Sequence, residues 1–517
     1  MLQRNLSSLR RWVSGIVFVM MSLWFLDVLK LLPDRVMKGL VAIQFIPSLM
    51  KTLAGTLPVF IPGFILVLCL TLLFGRVYCS FLCPLGGLMD LVIRLRGRKK
   101  RFYRSEPWNR LRYLVLALTI LVFLSGSLAL VNVLDPFSIF GRIMVTWIRP
   151  VVVAVNNALS FFFELSGVYA FAPVHQLRFP FYLFVITGAY LVLIVLLSLK
   201  KGRLYCNTLC PVGTLLGFVA KKTVFRLAFQ ENTCTGCGLC ERACKAGCID
   251  SKKKYLDPSR CVSCFNCLSA CPENSMKFSV AGHYQKTGMP VPDKNRRNLI
   301  RMALLLLVGL PGTVKAQVMK PLVFVKNRIP VRRNHPVTPP GSISIRHFTD
   351  ACTACYLCVS HCPGKVIKPG FAVFGKEGVL MPHLSYTQGY CNFACTICGD
   401  ICPSGAIRPL NIQEKKQVQV GKVVFIRENC IVITQKTECG ACSEHCPTKA
   451  VNMVLENNLR VPFVKPDLCV GCGACEFACP SLPHKSIYVD GNPVHQKALK
   501  PEEKRPEARQ MENDFPF

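Results

Sequence analysis

The sequence is poor in charged residues, and acidic residues are the scarcest of them. Charged residues make up 18% of the 517 residues, below the roughly 25% of a typical soluble protein, and Asp+Glu number 28 against 63 Lys+Arg. Hydrophobic residues reach 51%, and the mean hydropathy is +0.37. This composition excludes a single small soluble domain, fits a disordered chain poorly, and predicts membrane spans in part of the chain.

Several cofactor signatures are also absent. No Cys-x-x-Cys-His occurs, so we expect no c-type haem, and there is no P-loop, dinucleotide fingerprint or flavin motif. None of the nine His residues falls in the spans predicted below, which argues against a bis-His haem within them. The formal net charge of +35 is explained better by loops at a membrane face and by anionic clusters than by a polyanion, so we predict no nucleic-acid partner.

Four stretches are nearly free of charge over the roughly 20 residues that a helix needs to cross a bilayer. They are residues 12–32, 52–75, 113–134 and 179–199. Residues 76–112 carry ten positive charges and residues 135–178 carry three, so the positive-inside rule places the N-terminus and 76–112 in the cytoplasm. Residues 150–177 are predicted to form an interfacial or re-entrant cap, because a fifth span there would put Arg203 outside.

One motif occurs at two of the predicted cytoplasmic ends. Gly-Arg-x-Tyr-Cys-x3-Cys-Pro-x-Gly occupies residues 75–86 and 202–213. Each copy ends a pair of spans with the same orientation, which predicts a parallel internal repeat about an axis along the membrane normal. Four thiols should converge near that axis: Cys79, Cys83, Cys206 and Cys210. They could hold a further iron-sulfur cluster, form redox disulfides, or belong to structural turns closed by Pro and Gly.

Residues 234–272 contain two cysteine runs with the spacing of a bacterial two-cluster ferredoxin, in which three Cys bind one cluster and the fourth reaches the other. We predict one cluster on Cys234, Cys237, Cys240 and Cys271, and a second on Cys261, Cys264, Cys267 and Cys244. The first run departs from the pattern, because Lys245 stands where Pro is expected. A spare Cys248 could replace a ligand.

The pattern recurs four times after residue 350. The sixteen cysteines are Cys352, Cys355, Cys358 and Cys362; Cys391, Cys395, Cys398 and Cys402; Cys430, Cys439, Cys442 and Cys446; and Cys469, Cys472, Cys475 and Cys479. Zinc is a poorer interpretation, because zinc sites use well separated Cys pairs. The sequence therefore predicts six [4Fe-4S] clusters, and a seventh if the repeat thiols hold one. Cys69 is expected to be a small buried apolar residue.

Residues 294–317 combine Arg296 and Arg297 with thirteen uncharged residues and Val314-x-Ala316. Thirteen residues are short for a span but suit the apolar part of an export signal. The segment resembles a twin-arginine signal inside the chain, either cleaved or kept as a fifth anchor helix. The alternative is a short helix between two cytoplasmic ferredoxin domains.

The predicted fold is a membrane α-helical domain of four spans with a parallel internal repeat, followed by α+β bacterial ferredoxin-like [4Fe-4S] domains. The predicted segments are a membrane domain at 1–228, a cytoplasmic two-cluster ferredoxin at 229–285, the signal or anchor at 294–317, a four-cluster ferredoxin at 340–492 and a disordered tail at 493–517. We expect the four-cluster domain to be periplasmic.

These motifs together resemble known families. Residues 1 to about 290 resemble NapH, MauN and NosR-type membrane iron-sulfur proteins, through the doubled Cys motif and the two-cluster run. Residues from about 294 resemble NapG and MauM-type ferredoxins, through the Arg-Arg signal and the four Cys runs. The resemblance implies a fusion of two quinol dehydrogenase subunits in a bacterial inner membrane, and it carries the family's cluster ligands over onto the 24 ferredoxin-type Cys. Electrons would pass from menaquinol or ubiquinol to a periplasmic cytochrome or reductase.

Four residues of the repeat are candidates for contacting a quinone headgroup or its protons: Arg76, Tyr78, Arg203 and Tyr205. They could equally anchor helix ends at the membrane interface. Two other functions stay open, namely a maturation factor that supplies electrons to a metalloenzyme, as in copper-handling relatives with the same Cys-x3-Cys-Pro motif, and a scaffold or redox sensor with structural clusters.

One difficulty follows from this topology. The two ferredoxin regions are predicted on opposite sides of about 30 Å of hydrocarbon, and no cofactor visible in the sequence bridges it. A shuttling quinol, a haem from a partner, or a second ferredoxin that stays inside would each remove the difficulty.

Overall fold

The computed structural model describes residues 2–26, 33–55, 62–95, 108–230, 233–280 and 328–499, apart from 168, 170 and 175. The signal-like segment 294–317 lies outside these residues. The described part up to residue 222 is α-helical. Its helices are α1 Leu2–Leu26, α2 Asp34–Ala42, α3 Phe45–Leu53, α4 Gly63–Phe74, α5 Val77–Phe81, α6 Pro84–Leu95, α7 Asn109–Leu124, α8 Ala129–Leu134, α9 Pro136–Ile143, a π-helical turn Met144–Ile148, α10 Arg149–Leu165, α11 Phe181–Lys201, α12 Leu204–Thr208, α13 Pro211–Val219 and a 3-10 turn Ala220–Lys222.

Three helices in the described part are long and apolar enough to cross a membrane, or four if the bent pair α2 and α3, which meet at 85°, counts as one. They are Asn5–Leu26, Pro136–Leu165 and Phe181–Lys201. Phe181–Lys201 matches the predicted span 179–199 and Asn5–Leu26 overlaps 12–32, whereas Pro136–Leu165 was not predicted to span and neither 52–75 nor 113–134 supplies one of the three helices. Within 52–75 the apolar helix α4 has 12 residues and rises about 18 Å, less than the hydrocarbon thickness. The stretch 113–134 is divided between α7 and α8 by a turn at Gly126, whose φ is 86°.

The segment 149–178 contacts the ferredoxin region after residue 328 at both of its ends. Arg149 donates from Nη2 to the carbonyl of Ser360 at 3.1 Å, and the Arg178 amide donates to the Gln388 side chain at 3.4 Å. Between them the segment after α10 folds back along that helix, where Ser160 donates to the carbonyl of Phe171 at 2.7 Å. The helix Pro136–Leu165 is long enough to cross a membrane, which was not predicted for the cap at 150–177. Both ends of the segment nevertheless contact the same ferredoxin region.

Two ferredoxin units follow, at 225–280 (unit 1) and 328–499 (unit 2). Unit 1 consists of β1 Phe225–Phe229, α14 Leu239–Ala243, β2 Ile249–Asp250, β3 Tyr255–Leu256, α15 Asn266–Ala270 and β4 Met276–Val280. Its outer strands β1 and β4 pair antiparallel, with Phe225 opposite Val280. Unit 1 thus begins before the predicted boundary at 229, because β1 belongs to its sheet.

Unit 2 is built from short helices and two-stranded antiparallel sheets. Its elements are α16 Ile345–Ala351, α17 Leu357–His361, β5 Ile367–Pro369, β6 Pro382–Leu384, α18 Ile397–Asp400, α19 Ile412–Lys415, β7 Val418–Phe425, a 3-10 turn Arg427–Asn429, α20 Ile431–Thr434, α21 Ala441–Glu444, β8 Val451–Glu456, β9 Leu459–Val464, a 3-10 turn Pro466–Leu468, α22 Ala474–Ala478 and β10 Ile487–Lys497. Strand β10 pairs with β7 and runs past the predicted domain end at 492, so residues 493–497 are strand and not tail.

The two units contact opposite ends of α1. Helix α1 packs against α15 of unit 1, and its Arg10 shares the partner Asp90 with Lys245 of unit 1. Near the other end, the Trp24 ring lies 4.8 Å from the His361 ring of unit 2. Arg10 and Trp24 are 14 residues apart, a rise of about 21 Å along the helix.

Candidate metal centres

Four of the six ferredoxin-type cysteine runs share one loop conformation. In each, the residues two and four positions after the first Cys have positive φ, at positions 236 and 238, 263 and 265, 354 and 356, and 471 and 473. Left-handed residues in such loops turn backbone N–H groups into a concave, anion-binding surface. In the runs that start at Cys391 and Cys430, where the first gap is longer, Thr396 and Gly440 have φ of −119° and −126° instead.

Unit 1 contains two cysteine-lined cavities, which we name sites I and II. Site I is lined by Cys234, Cys237, Cys240 and Cys271. Site II is lined by Cys244, Cys248, Cys261, Cys264 and Cys267. The structure therefore brings together both predicted sets of four, with the fourth Cys of each run crossing to the other site. Cys240 and Cys267 interact electrostatically, so the two sites are neighbours.

The spare cysteine lies inside site II. The sulfurs of Cys248 and Cys244 are 3.5 Å apart. The hydrogen bond from Cys248 lowers the pKa of Cys244 to about 7, although burial acts in the opposite direction. Of the two, Cys244 is thus the better thiolate, and thiolates are the form that binds metals.

Unit 2 groups its sixteen cysteines into four sets, each linked internally by electrostatic interactions. Site IV is Cys352, Cys355, Cys358 and Cys402; site V is Cys391, Cys395, Cys398 and Cys362; site VI is Cys469, Cys472, Cys475 and Cys446; site VII is Cys430, Cys439, Cys442 and Cys479. In every set the fourth Cys comes from the neighbouring run, and the longer gaps do not change this grouping. Spacing alone left this pairing open.

The four sets of unit 2 form a series. Cys358 of site IV interacts with Cys398 of site V. The Cys391 amide of site V donates to the carbonyl of Cys472 of site VI at 2.9 Å. Cys475 of site VI interacts with Cys442 of site VII. Neighbouring sites in the order IV, V, VI and VII are therefore in contact through their own ligands.

The four thiols of the repeat also converge, and we name them site III. Cys79, Cys83, Cys206 and Cys210 are buried, with 4–7% of each residue exposed, and electrostatic interactions link every pair. Among the described residues, no three His, Cys, Asp or Glu side chains are arranged to hold a single metal ion. Four soft thiols in one buried place are the donor set that iron-sulfur clusters use.

The two copies of the motif hold each other by reciprocal contacts around site III. Arg76 donates to the carbonyl of Cys206 at 2.9 Å, and Arg203 donates to the carbonyl of Cys79 at 2.8 Å. Each guanidinium lies on a glycine of the other copy: a Cβ on Gly213 would be 2.7 Å from Arg76, and one on Gly86 would be 2.7 Å from Arg203. The motif therefore needs its Arg and its final Gly to close the site.

A buried carboxylate joins site III to unit 1. Asp90 accepts hydrogen bonds from Arg10 at 2.5 Å and from Nε of Arg203 at 3.2 Å. Its carboxylate also forms ion pairs with Nη2 of Arg203 at 2.9 Å and with Lys245 at 3.2 Å. Burial alone would raise the pKa of Asp90, but Arg203, Lys245 and Arg10 outweigh it and hold that pKa well below its usual range. The carbonyl of Lys245 accepts from the Arg203 amide at 2.9 Å. The unexpected lysine after Cys244 is thus a docking residue.

Site III lies between the two units. On one side, the Asn207 side chain, next to Cys206, donates to the carbonyl of Ala246, two residues after Cys244 of site II, at 3.3 Å. On the other side, the buried Asp135 interacts electrostatically with Tyr78 and Tyr205 of the repeat and with Cys355 of site IV.

The four predicted quinone residues are fully buried and have protein partners. Arg76 donates to the Asn207 side chain at 2.7 Å in addition to its bond to Cys206, and Arg203 binds Asp90. Tyr78 donates to Gln44 at 2.9 Å, and Tyr205 donates to the carbonyl of Leu134 at 2.9 Å. Their role at a quinone stays a prediction, and these contacts indicate that all four close site III.

Asp90 and Asp135 are functional residues that were not predicted from the sequence. A usable signal existed, since Asp90, Glu106 and Asp135 are the acidic residues between positions 35 and 163. A rare acid among apolar and basic neighbours is costly to bury unless it has a partner or a task.

Comparison with known proteins agrees with the two kinds of cysteine motif. The family described as 4Fe-4S binding domain matches residues 56–103 and 183–230, each of which contains one copy of the repeat motif. The family described as 4Fe-4S dicluster domain matches residues 233–275, with sites I and II, and 437–482 in unit 2. No solved structure is significantly similar to the chain.

Similar curated proteins include ferredoxin-type protein NapG of Escherichia coli, which is 32% identical over 152 residues, covering 27% of this chain and 64% of NapG. Methylamine utilization ferredoxin-type protein MauM of Methylorubrum extorquens is 30% identical over 150 residues, covering 27% of this chain and 66% of MauM. Uncharacterized protein MJ0749 of Methanocaldococcus jannaschii is 28% identical over 225 residues, covering 42% of this chain and 69% of that protein. The chain thus spans about two thirds of each of these relatives.

The chain is an iron-sulfur, ferredoxin-type electron-transfer protein. Over about a quarter of its length it is homologous to the ferredoxin-type proteins NapG, MauM and NapF. Its apolar helices suggest association with a membrane.

Proposed function

We propose that this protein is a membrane-bound quinol dehydrogenase component that takes electrons from menaquinol or ubiquinol and passes them through [4Fe-4S] clusters to a periplasmic reductase system. Six clusters would occupy sites I, II and IV to VII, and a seventh would occupy site III. The proposal combines a membrane part of the NapH and MauN kind with a ferredoxin part of the NapG and MauM kind.

The observation that carries the proposal is the position of site III. Asn207, next to the thiol Cys206, contacts unit 1. On the other side, Asp135 interacts electrostatically both with Tyr205 of the repeat and with Cys355 of unit 2. A cluster at site III would connect site II to site IV and remove the difficulty that the sequence posed. The seven sites would then form one series from site I to site VII.

The contacts of α1 support opposite locations for the two units. Unit 1 lies against the half of α1 that contains Arg10, and unit 2 lies against Trp24. A helix that crosses the bilayer with these contacts would have unit 1 in the cytoplasm and unit 2 in the periplasm, as the positive-inside rule predicts. Protease cleavage of a C-terminal epitope in intact spheroplasts tests this, with a cytoplasmic marker as control. Protection until lysis would contradict it.

The test of electron flow uses the full chain in lipid nanodiscs, with a short-chain quinol as donor and the visible absorbance of the clusters as readout. We expect quinol to bleach wild-type protein. Cys206→Ser should lose the cluster of site III and interrupt transfer between the units. Cys69→Ser is the matched control. Cys69 was predicted to be buried, but it is exposed on the apolar helix α4 and belongs to no four-thiol set. Iron content equal in both variants would contradict a cluster at site III.

A second candidate function is electron supply to a metalloenzyme during its maturation, with copper as the metal handled. The sulfur of Met89 lies 3.7 Å from that of Cys206, so site III offers a thioether beside its four thiols. Such soft donors select Cu(I). Anaerobic titration with Cu(I) distinguishes the two functions: stoichiometric binding that needs both Met89 and Cys206 favours maturation, and iron at site III favours the conduit.

A further inference from the structure

We propose that the quinol binds in an apolar cavity beside site III and that Asp135 accepts its protons. This inference rests on the proposed function and names the site of its substrate. The cavity is walled by α3, α7, α13 and the end of α8, with Phe45, Leu116, Thr119, Phe123 and Pro211 in its lining. Its lining contains one ionisable side chain, Asp135. The surface of the cavity is apolar and complementary to the tail of a quinol, and Asp135 is the ionisable residue in its wall that the polar head would meet.

The carboxylate of Asp135 is buried yet has no cation within salt-bridge distance in the described part of the chain. Only 1% of the residue is exposed. One of its oxygens accepts from the amide of Ser138 at 2.9 Å and from the hydroxyl of Ser138 at 2.6 Å. These bonds make Asp135 the N-cap of α9, but burial of a carboxylate that lacks a paired cation still costs free energy, which a functional role would explain. Proton transfer from a bound hydroxyl is such a role, since carboxylates act as general bases.

The position of the cavity suits electron transfer as well. Pro211 in its wall directly follows Cys210 of site III. Asp135 interacts electrostatically with Cys355 of site IV. A headgroup at Asp135 therefore lies beside both the four repeat thiols and the first site of unit 2, and it can deliver its electrons to clusters on either side.

Buried polar atoms without hydrogen-bond partners lie on Arg142, which interacts electrostatically with Asp135, and on its neighbours Asn132 and Tyr356. Arg142 donates from Nη2 to the carbonyl of Asn132 and has Nε and Nη1 unpaired, and the Asn132 side-chain amide is unpaired too. The hydroxyl of Tyr356 in unit 2 is also unpaired, and Tyr356 interacts electrostatically with Arg142. Nearly all buried polar groups in proteins have a partner, so these atoms indicate bound water. Water there would carry protons from Asp135 toward unit 2.

Oxidation of one quinol needs acceptors for two protons and two electrons. Quinol becomes quinone by losing two protons and two electrons. Asp135 takes the first proton, releases it to the water beside Arg142 and then takes the second. The two electrons leave one at a time to oxidised [4Fe-4S] clusters at sites III and IV, each of which is reduced by one electron.

The test compares four variants of the full chain in nanodiscs by two readouts, binding of the fluorescent quinol analogue 2-heptyl-4-hydroxyquinoline N-oxide and the rate of cluster bleaching by quinol. Asp135→Asn is matched with Glu164→Gln, an exposed carboxylate on α10. Leu116→Trp, which fills the cavity, is matched with Leu118→Trp on the exposed side of the same helix. Dithionite should bleach all variants equally, which shows that the clusters are present.

We expect Asp135→Asn to slow quinol bleaching about 100-fold or more, as loss of a general base does. We expect Leu116→Trp to weaken analogue binding at least about tenfold, with both controls like wild type. Wild-type bleaching rates in Asp135→Asn, or equal analogue binding by the two tryptophan variants, would overturn the inference. If quinol does not bleach wild-type protein, the proposed function and the proton role of Asp135 fall together, whereas analogue binding lost only in Leu116→Trp would still locate the cavity.

Discussion

The two ferredoxin units dock on the membrane helices through different kinds of contact. Unit 1 is held by buried charge, with Lys245 on Asp90 at 3.2 Å and its Ser259 carbonyl accepting from Arg112 at 2.9 Å. Unit 2 is held by aromatic packing and close backbone approach, with Trp24 against His361 and the carbonyl of Cys355 against Gly141, together with the hydrogen bond from Arg149 to the carbonyl of Ser360.

The two kinds of contact are disrupted by different kinds of substitution. A buried ion pair is sensitive to the loss of a single partner, because the remaining charges are left without compensation. A close-packed apolar contact is sensitive to added volume, because neighbouring groups must move apart. Substitutions of each kind should therefore release one unit and spare the other.

The largest effect is expected from Asp90→Ala. The change leaves Arg10, Arg203 and Lys245 buried without a carboxylate, at a cost of about 3–5 kcal/mol. Unit 1 should become sensitive to protease while unit 2 stays protected, as checked by limited proteolysis of the full chain. Glu456→Ala is the control, since its pair with Arg427 is exposed and its loss should change nothing measurable. Equal protection of unit 1 in both variants would refute charge-based docking.

Gly141→Ala is expected to act on unit 2 in the opposite way. A Cβ at this position would be 2.3 Å from the carbonyl oxygen of Cys355 and 2.5 Å from the Phe25 ring. Overpacking of this kind costs about 1–3 kcal/mol and should expose unit 2 to protease before unit 1. Gly39→Ala, on α2, has open space around the added methyl and serves as the control. Release of unit 1 first would show that the contacts are not independent.

Much of the cluster chemistry could be predicted from the sequence, because short spacings fix which thiols share a loop. The sets at sites I and II follow from x2 and x3 steps, and the same crossing recurs in sites IV to VII. The docking could not be predicted, since Asp90 and Lys245 are 155 positions apart and nothing local relates them. The bent pair α2 and α3 was not predicted either, because Gln44 and the charges of α2 interrupt its apolar pattern.

Lys245→Pro removes one of the three cations that contact Asp90 and restores the Cys-Pro pair that the other runs carry. Cys244 has ψ of 101°, an extended conformation that proline tolerates in the residue before it. Asp90 would keep Arg10 and Arg203, so the expected cost is about 1–3 kcal/mol, less than for Asp90→Ala. Iron content should be unchanged while thermal stability of unit 1 falls. Loss of iron would mean that Lys245 serves site II and not docking.

The smallest effect is expected from Cys248→Ser, which tests the other peculiarity of unit 1. Cys248 lies in site II, but the hydrogen bond that it gives makes Cys244 the better thiolate. Iron content and the electron paramagnetic resonance spectrum of the reduced protein should therefore match wild type.

Cys244→Ser should alter the spectrum of one cluster, either by loss of iron or by ligand exchange to Cys248. The double variant separates these results, because exchange keeps iron in Cys244→Ser and loses it only when both thiols are gone. A wild-type spectrum in Cys244→Ser combined with an altered one in Cys248→Ser would reverse the assignment and make Cys248 the ligand of site II.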